Sequence, residues 1–143
     1  CAGCSEAKER RITVLWSTEC RSTKPRQRVF LDISGNRPPS AGGASYLMMI
    51  VDDLSRLGWP YFLKKKSDAA LAFAKLLADI RADGCPSVVE CVRSDNGPEL
   101  LSVEFVAMLD SHGICREYTP VASPKHDGVV ERRIACTLEL AMA

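Results

Sequence analysis

Three carboxylates stand where acid chemistry could be organised. Asp32 lies inside an apolar run, Asp95 in Arg93-Ser94-Asp95-Asn96-Gly97, and Glu131 in Gly128-Val129-Val130-Glu131-Arg132-Arg133. Brought into one dry site, three carboxylates repel one another, and one or more would take up a proton. A divalent cation removes that conflict, and an all-oxygen ligand set favours Mg2+ or Mn2+ over Zn2+. Two such ions roughly 4 Å apart can activate an attacking oxygen and stabilise a leaving one at a phosphodiester. The pattern alone is a weak signal, because the chain carries 18 acidic residues and many triplets arise by chance. Asp95 also reads as a turn residue ahead of Asn-Gly, and Glu131 as a first-turn helix residue favoured by the helix dipole.

Convergence of the three depends on the elements that carry them. At 143 residues, 46% hydrophobic and 26% charged, the chain fits one globular domain, or one domain with a short flank. A net charge of +1 excludes a histone-like binder, though not a local basic patch. No apolar run approaches the ~20 residues of a membrane span. Residues 1–28 are polar and read as a linker or the end of a preceding module. Strands are expected at Arg28–Ser34, at Tyr46–Val51 as a run buried on both faces, and at Trp59–Leu63, where Pro60 suggests an edge. The Pro/Gly/Ser-rich stretch 36–44 reads as a turn.

A helix capped by Ser67 is expected to bury Ala70, Phe73, Ala74, Leu77 and Ile80, and to stop at Gly84. A fourth strand follows at Val88–Val92. A second helix from about Ser102 carries Phe105, Val106 and Leu109 to Gly113, and a fifth strand covers Ile114–Tyr118. A last helix from about Gly128 carries Val130, Ile134, Leu138 and Ala141. Three strands and then alternation give an α/β domain with a mixed sheet covered by helices. If the first and fourth strands are neighbours, Asp32 and Asp95 face one spot at the sheet's end, and the first turn of the last helix can deliver Glu131 there.

Seven cysteines form an odd set without a disulfide framework, and no signal peptide is visible. The chain also lacks an initiating Met. The expectation is an intracellular, reduced fragment of something longer, with the later cysteines acting as small buried hydrophobes. Lys64-Lys65-Lys66 reads first as a solvated run. Lys125, Arg132 and Arg133, close to the acidic residues, read as phosphate contacts, which would make affinity salt-dependent. Trp59 and Tyr61 read as packing residues.

Three collinear stretches carry a wider pattern: YLMMIVDDLSRLGWPYFLKKKSD from Tyr46, VRSDNGPEL around Asp95, and TPVASPKHDGVVERRIACTLELA at the end. Together they resemble the integrase core of copia-type LTR retrotransposons, within the retroviral integrase superfamily. The resemblance covers roughly residues 28–143. It implies an RNase H-like fold, with a mixed five-stranded sheet flanked by helices. It also implies a two-metal polynucleotidyl transferase and endonuclease that trims element DNA ends and joins them to target DNA. Asp32, Asp95 and Glu131 fall on that family's catalytic, metal-binding triad, with Mg2+ or Mn2+ as cofactor. DNA and further copies of the chain are the implied partners, no membrane is involved, and the nucleus is the implied location.

The implied division is residues 1–27 as the tail of an upstream zinc-binding module and linker, then residues 28–143 as a catalytic core truncated at its C-terminus. Cys1 and Cys4 match the end of that module, half of a zinc site whose histidines would precede residue 1. Structural zinc needs four ligands, so the pair alone would hold the ion poorly. Two positions depart from the family pattern: Gly35-Asn36 replaces Gly-Pro, and His126-Asp127 replaces Gln-Asn. Asp52 and Asp53, in the family's Asp-Asp-x-Ser-Arg stretch, read as a turn cap or a partner for Arg56 and not as metal ligands. Two other readings compete. One is a nucleic-acid-binding remnant without turnover. The other is a receiver-like phosphoacceptor domain using Asp52, Asp53 and Asp95.

Overall fold

The computed structural model describes residues 22–35, 38–84, 89–95, 97–118, 130 and 132–137. Five strands and two helices alternate as expected: β1 (Arg28–Ser34), β2 (Tyr46–Asp52), β3 (Gly58–Leu63), a one-turn 3-10 helix (Lys66–Asp68), α1 (Ala69–Ala82), β4 (Cys91–Ser94), α2 (Val103–Ser111) and β5 (Cys115–Tyr118). Residues 130 and 132–137 are also helical. The strands form one mixed sheet in the order β3-β2-β1-β4-β5. β1 sits at its centre, antiparallel to β2 and parallel to β4. Pro60 lies on β3, an edge strand, where its missing N–H costs no ladder bond on the open side.

Alternation along β2 divides the interior. Met48 and Ile50 join the larger core with Val29, Leu31, Phe73, Leu76, Phe105 and Leu109. Leu47, Met49 and Val51 join a second core with Phe30, Val130 and Ile134. Successive strand side chains point to opposite faces, so α1 and α2 cover one face and the terminal helical residues the other. This is why an antiparallel strand reads as an unbroken apolar run. Phe73 and Phe105 tie α1 to α2 edge to face, with ring centres 5.8 Å apart and planes at 67°.

Several local expectations are corrected. Ser67 does not cap α1. The chain first makes the 3-10 turn, in which Asp68 Oδ2 accepts from the Lys65 N–H at 3.0 Å. The helix therefore starts at Ala69 and its buried stripe is rotated: Ala69, Ala72 and Leu76 join Phe73, Leu77 and Ile80, while Ala70 and Ala74 are only half-buried. The fourth strand is Cys91–Ser94 and not Val88–Val92. Ser102 does cap α2, accepting from the Phe105 N–H at 3.3 Å. Gly84 and Gly113 end their helices with φ of +65°. Leu138 and Ala141 lie outside the described residues.

Candidate active site

Asp32, inside β1, and Asp95, just past β4, come together on neighbouring strands. The parallel register pairs Arg28 with Cys91 and closes with Leu31 opposite Ser94. Asp32 and Asp95 are the next residues on each chain, so they occupy the same level on adjacent strands, about 5 Å apart along the hydrogen-bonding direction. Alternation places Asp32 on the face of Phe30, and Asp95 on the face of Arg93, Phe30's register partner. That is the face on which Val130 and Ile134 pack. Asp32 is half-buried and Asp95 exposed. Asp95 Oδ1 accepts from the Gly97 N–H at 3.1 Å, which fixes the carboxylate in a tight turn. A side chain at Gly97 would crowd it: a Cβ there would stand 3.1 Å from Asp95 Oδ1 and 3.2 Å from Glu99 Oε1. Glu131 lies outside the described residues, directly after the buried Val130.

Asp52 and Asp53 are built into a different place. Both are buried, at 0% and 4% exposure. Asp52 Oδ2 accepts from the Ser55 N–H at 2.8 Å and hydroxyl at 2.6 Å, and its Oδ1 accepts from the Arg26 N–H at 2.7 Å. Asp53 Oδ2 accepts from the Ser22 N–H and hydroxyl at 3.0 and 3.1 Å. Its Oδ1 lies 3.6 Å from Arg56 Nη1. Arg56 holds a left-handed backbone, φ +61°, and its guanidinium stacks 5.9 Å from the Phe30 ring centre. Turn cap and arginine partner are therefore the roles of this pair.

The receiver reading fails on the same geometry. Asp52 pairs with Val29, at the start of β1. Asp95 lies level with Asp32, three residues or about 10 Å further along. The two acidic groups sit at opposite ends of the sheet. The antiparallel β1-β2-β3 run also departs from the all-parallel 2-1-3-4-5 order of that fold.

The basic residues divide. Lys66 Nζ donates to Glu99 Oε1 at 2.8 Å and lies 6.0 Å from the centre of the Tyr46 ring. Its ammonium is held above the usual lysine range, chiefly by the hydrogen bond to Glu99; desolvation opposes this, and charges on Glu99, Tyr46 and Asp95 add to it. Arg132 is exposed. Arg133 Nη2 donates to the Arg56 carbonyl at 2.8 Å, anchoring the terminal helical residues to the β2–β3 turn, away from Asp32 and Asp95. Lys125, Cys1 and Cys4 lie outside the described residues, as do His126 and Asp127. Trp59 and Tyr61 pack against the larger core, as expected. Cys115 and Cys136 are exposed, against the expectation of buried cysteines, and Cys91 is half-buried. Burial, assisted by Glu117, pushes the Cys91 thiol up to about 11.

Sequence reasoning passed over Lys66 and Glu99 as site residues. The usable signal was Glu99's position four residues after Asp95, within VRSDNGPEL, together with a lysine run at a strand end.

The integrase core domain family matches residues 22–124. A retrovirus-related Pol polyprotein from a Nicotiana tabacum transposon is 35% identical over 92% of this chain, and the RE1 transposon polyprotein of Arabidopsis thaliana is 28% identical over 93%. The chain spans about a tenth of the length of these curated relatives. Among solved structures, a chain of the simian T-cell lymphotropic virus intasome superposes with a TM-score of 0.64 at 24% identity, over 80% of this chain and 39% of that one. The HTLV-2 integrase catalytic core domain, solved with magnesium in a trimeric form, gives 0.60 at 22% over 80% and 68%. The fold is RNase H-like. The chain belongs to the integrase core domain family, and it is similar to the transposon Pol polyproteins above.

The donor set fits the hard divalent cation this family implies. Two carboxylates share one level and one face, and Glu99, which could have joined them, is taken by Lys66. Among the described residues, no group of three His, Cys, Asp or Glu side chains gathers into a metal site.

Proposed function

We propose that this chain is the catalytic core of a DNA integrase, a polynucleotidyl transferase that trims element DNA ends and joins them to target DNA. The observation that carries the reading is the placement of Asp32 within β1 level with Asp95, the residue just past the parallel neighbour β4, in a chain of the integrase core family. With Glu131 they would hold Mg2+ or Mn2+. Two such ions supply activation of the attacking oxygen and charge stabilisation of the leaving one. The chain's own work is positional. The sheet fixes the spacing of Asp32 and Asp95, and the Gly97 N–H holds Asp95 Oδ1 so that Oδ2 is presented. Val130 and Ile134, seated on Phe30, Leu47, Met49 and Val51, place the start of the terminal helix over the same face.

Lys125 and Arg132 would attract DNA phosphates, whereas Arg133 is engaged at the β2–β3 turn. Association with further copies on DNA and a nuclear location belong to the same proposal. The test is metal-dependent joining on a branched DNA substrate. Asp95→Asn is expected to abolish joining while circular dichroism and unfolding midpoint stay near wild type. Undiminished joining by that variant contradicts the role. DNA binding by wild type without joining would leave a binding remnant.

A further inference from the structure

An ion pair, Lys66–Glu99, joins the turn that carries Asp95 to the segment after β3. Asp95 Oδ1 receives the Gly97 N–H, and the Gly97 carbonyl receives the Leu100 and Leu101 N–H groups at 2.9 and 3.2 Å. Leu100 anchors the turn in the larger core at 2% exposure. Glu99 lies inside this turn with its side chain only 9% exposed, and its Oε1 accepts from Lys66 Nζ at 2.8 Å. Lys66 starts the 3-10 turn after β3, held by the Asp68–Lys65 hydrogen bond, and its ammonium faces the Tyr46 ring. The same ring fills the space beside Gly35, three residues after Asp32. Lys66 and Tyr46 thus link the segment just after β1 to the turn just after β4. The Asp95 and Glu99 carboxylates both border the space that a Cβ on Gly97 would take, at 3.1 and 3.2 Å from it. Left to itself, a second carboxylate so close would repel Asp95 or compete with it for a cation.

We propose that Lys66 and Glu99 are a positioning pair: Lys66 holds Glu99 in place, so that the turn is fixed and Asp95, not Glu99, meets the metal. The structural half stands on these contacts, and the functional half rests on the catalytic reading above.

Two measurements on wild type, Lys66→Met, Glu99→Gln and Lys66→Arg test the pair. The first is amide hydrogen exchange. Lys66→Met and Glu99→Gln are expected to speed exchange at Gly97, Leu100 and Leu101 about fivefold relative to β4 amides, as loss of a part-exposed ion pair would give. Lys66→Arg should restore protection. Unchanged exchange at these three amides overturns the proposal, whatever the metal does.

The second measurement is Mn2+ half-saturation, followed by paramagnetic broadening. Removing a nearby positive charge should by itself tighten cation binding. A positioning role has the opposite sign, so Lys66→Met is expected to weaken Mn2+ binding several-fold, with recovery in Lys66→Arg. Tighter binding in Lys66→Met overturns the functional half. A wild type that binds no Mn2+ overturns the catalytic reading, and the exchange data still decide the pair.

Discussion

At the scale of single residues, burial separates Asp52, which holds the fold, from the exposed Asp95. Asp52 is fully buried with three donors on its carboxylate, whereas Asp95 is exposed with one backbone N–H on Oδ1. Removing a buried acceptor leaves its donors unsatisfied. Asp52→Ala is therefore expected to cost about 3 kcal/mol of stability, read from urea unfolding, a size typical of a broken buried network. A loss within the scatter of the wild type would mean that the β2–β3 turn holds without it. Cys91 offers a pH-linked check. Its thiol, raised to about 11 by burial and Glu117, stays protonated where an unfolded cysteine ionises near 9.0. The folded state therefore loses relative stability as pH rises from 9 toward 11. At pH 8 the exposed Cys115 and Cys136 should react with iodoacetamide well before Cys91. Equal rates would contradict the assigned burial.

At the scale of elements, most of the frame was legible. β1 appears with the expected bounds because its apolar run is closed by turn chemistry at both ends. β2 was legible as buried on both faces, and the two cores explain why. The start of α1 was not, because a 3-10 turn and the Asp68–Lys65 bond replace a serine cap, a choice set by how β3 hands over to the helix. The neighbouring of β1 and β4 entered as a condition, since strand order depends on crossovers that local pattern does not encode. Lys66 and Glu99 each stood in a visible motif, but their pairing was not legible for a related reason: they meet only once β3 and β4 flank the same pair of central strands. The close approach of Gly35 to Tyr46 is equally tertiary. A methyl at Gly35 would overlap the Tyr46 ring, so Gly35→Ala is expected to lose about 1 to 2 kcal/mol through overpacking. An unchanged unfolding midpoint would show that the ring moves aside freely.

At the scale of the whole molecule, the sheet keeps two kinds of acidic chemistry apart. One end is tied by Asp52, Asp53, Arg26, Arg28 and Arg56, with Ser22 ahead of β1 drawn into the same knot. Towards the other end Asp32 and Asp95 lie on the face that Val130 and Ile134 cover. Two carboxylates brought close together in this way suit a divalent cation, which offsets their mutual repulsion. The most direct measurement is a Mn2+ titration followed by thermal shift, on wild type, Asp32→Asn, Asp95→Asn and Glu131→Gln. The expected result is stabilisation of wild type that rises with Mn2+ and is lost in each variant. An equal response in all four proteins would place the ion elsewhere and contradict the assignment of the three carboxylates as one metal site.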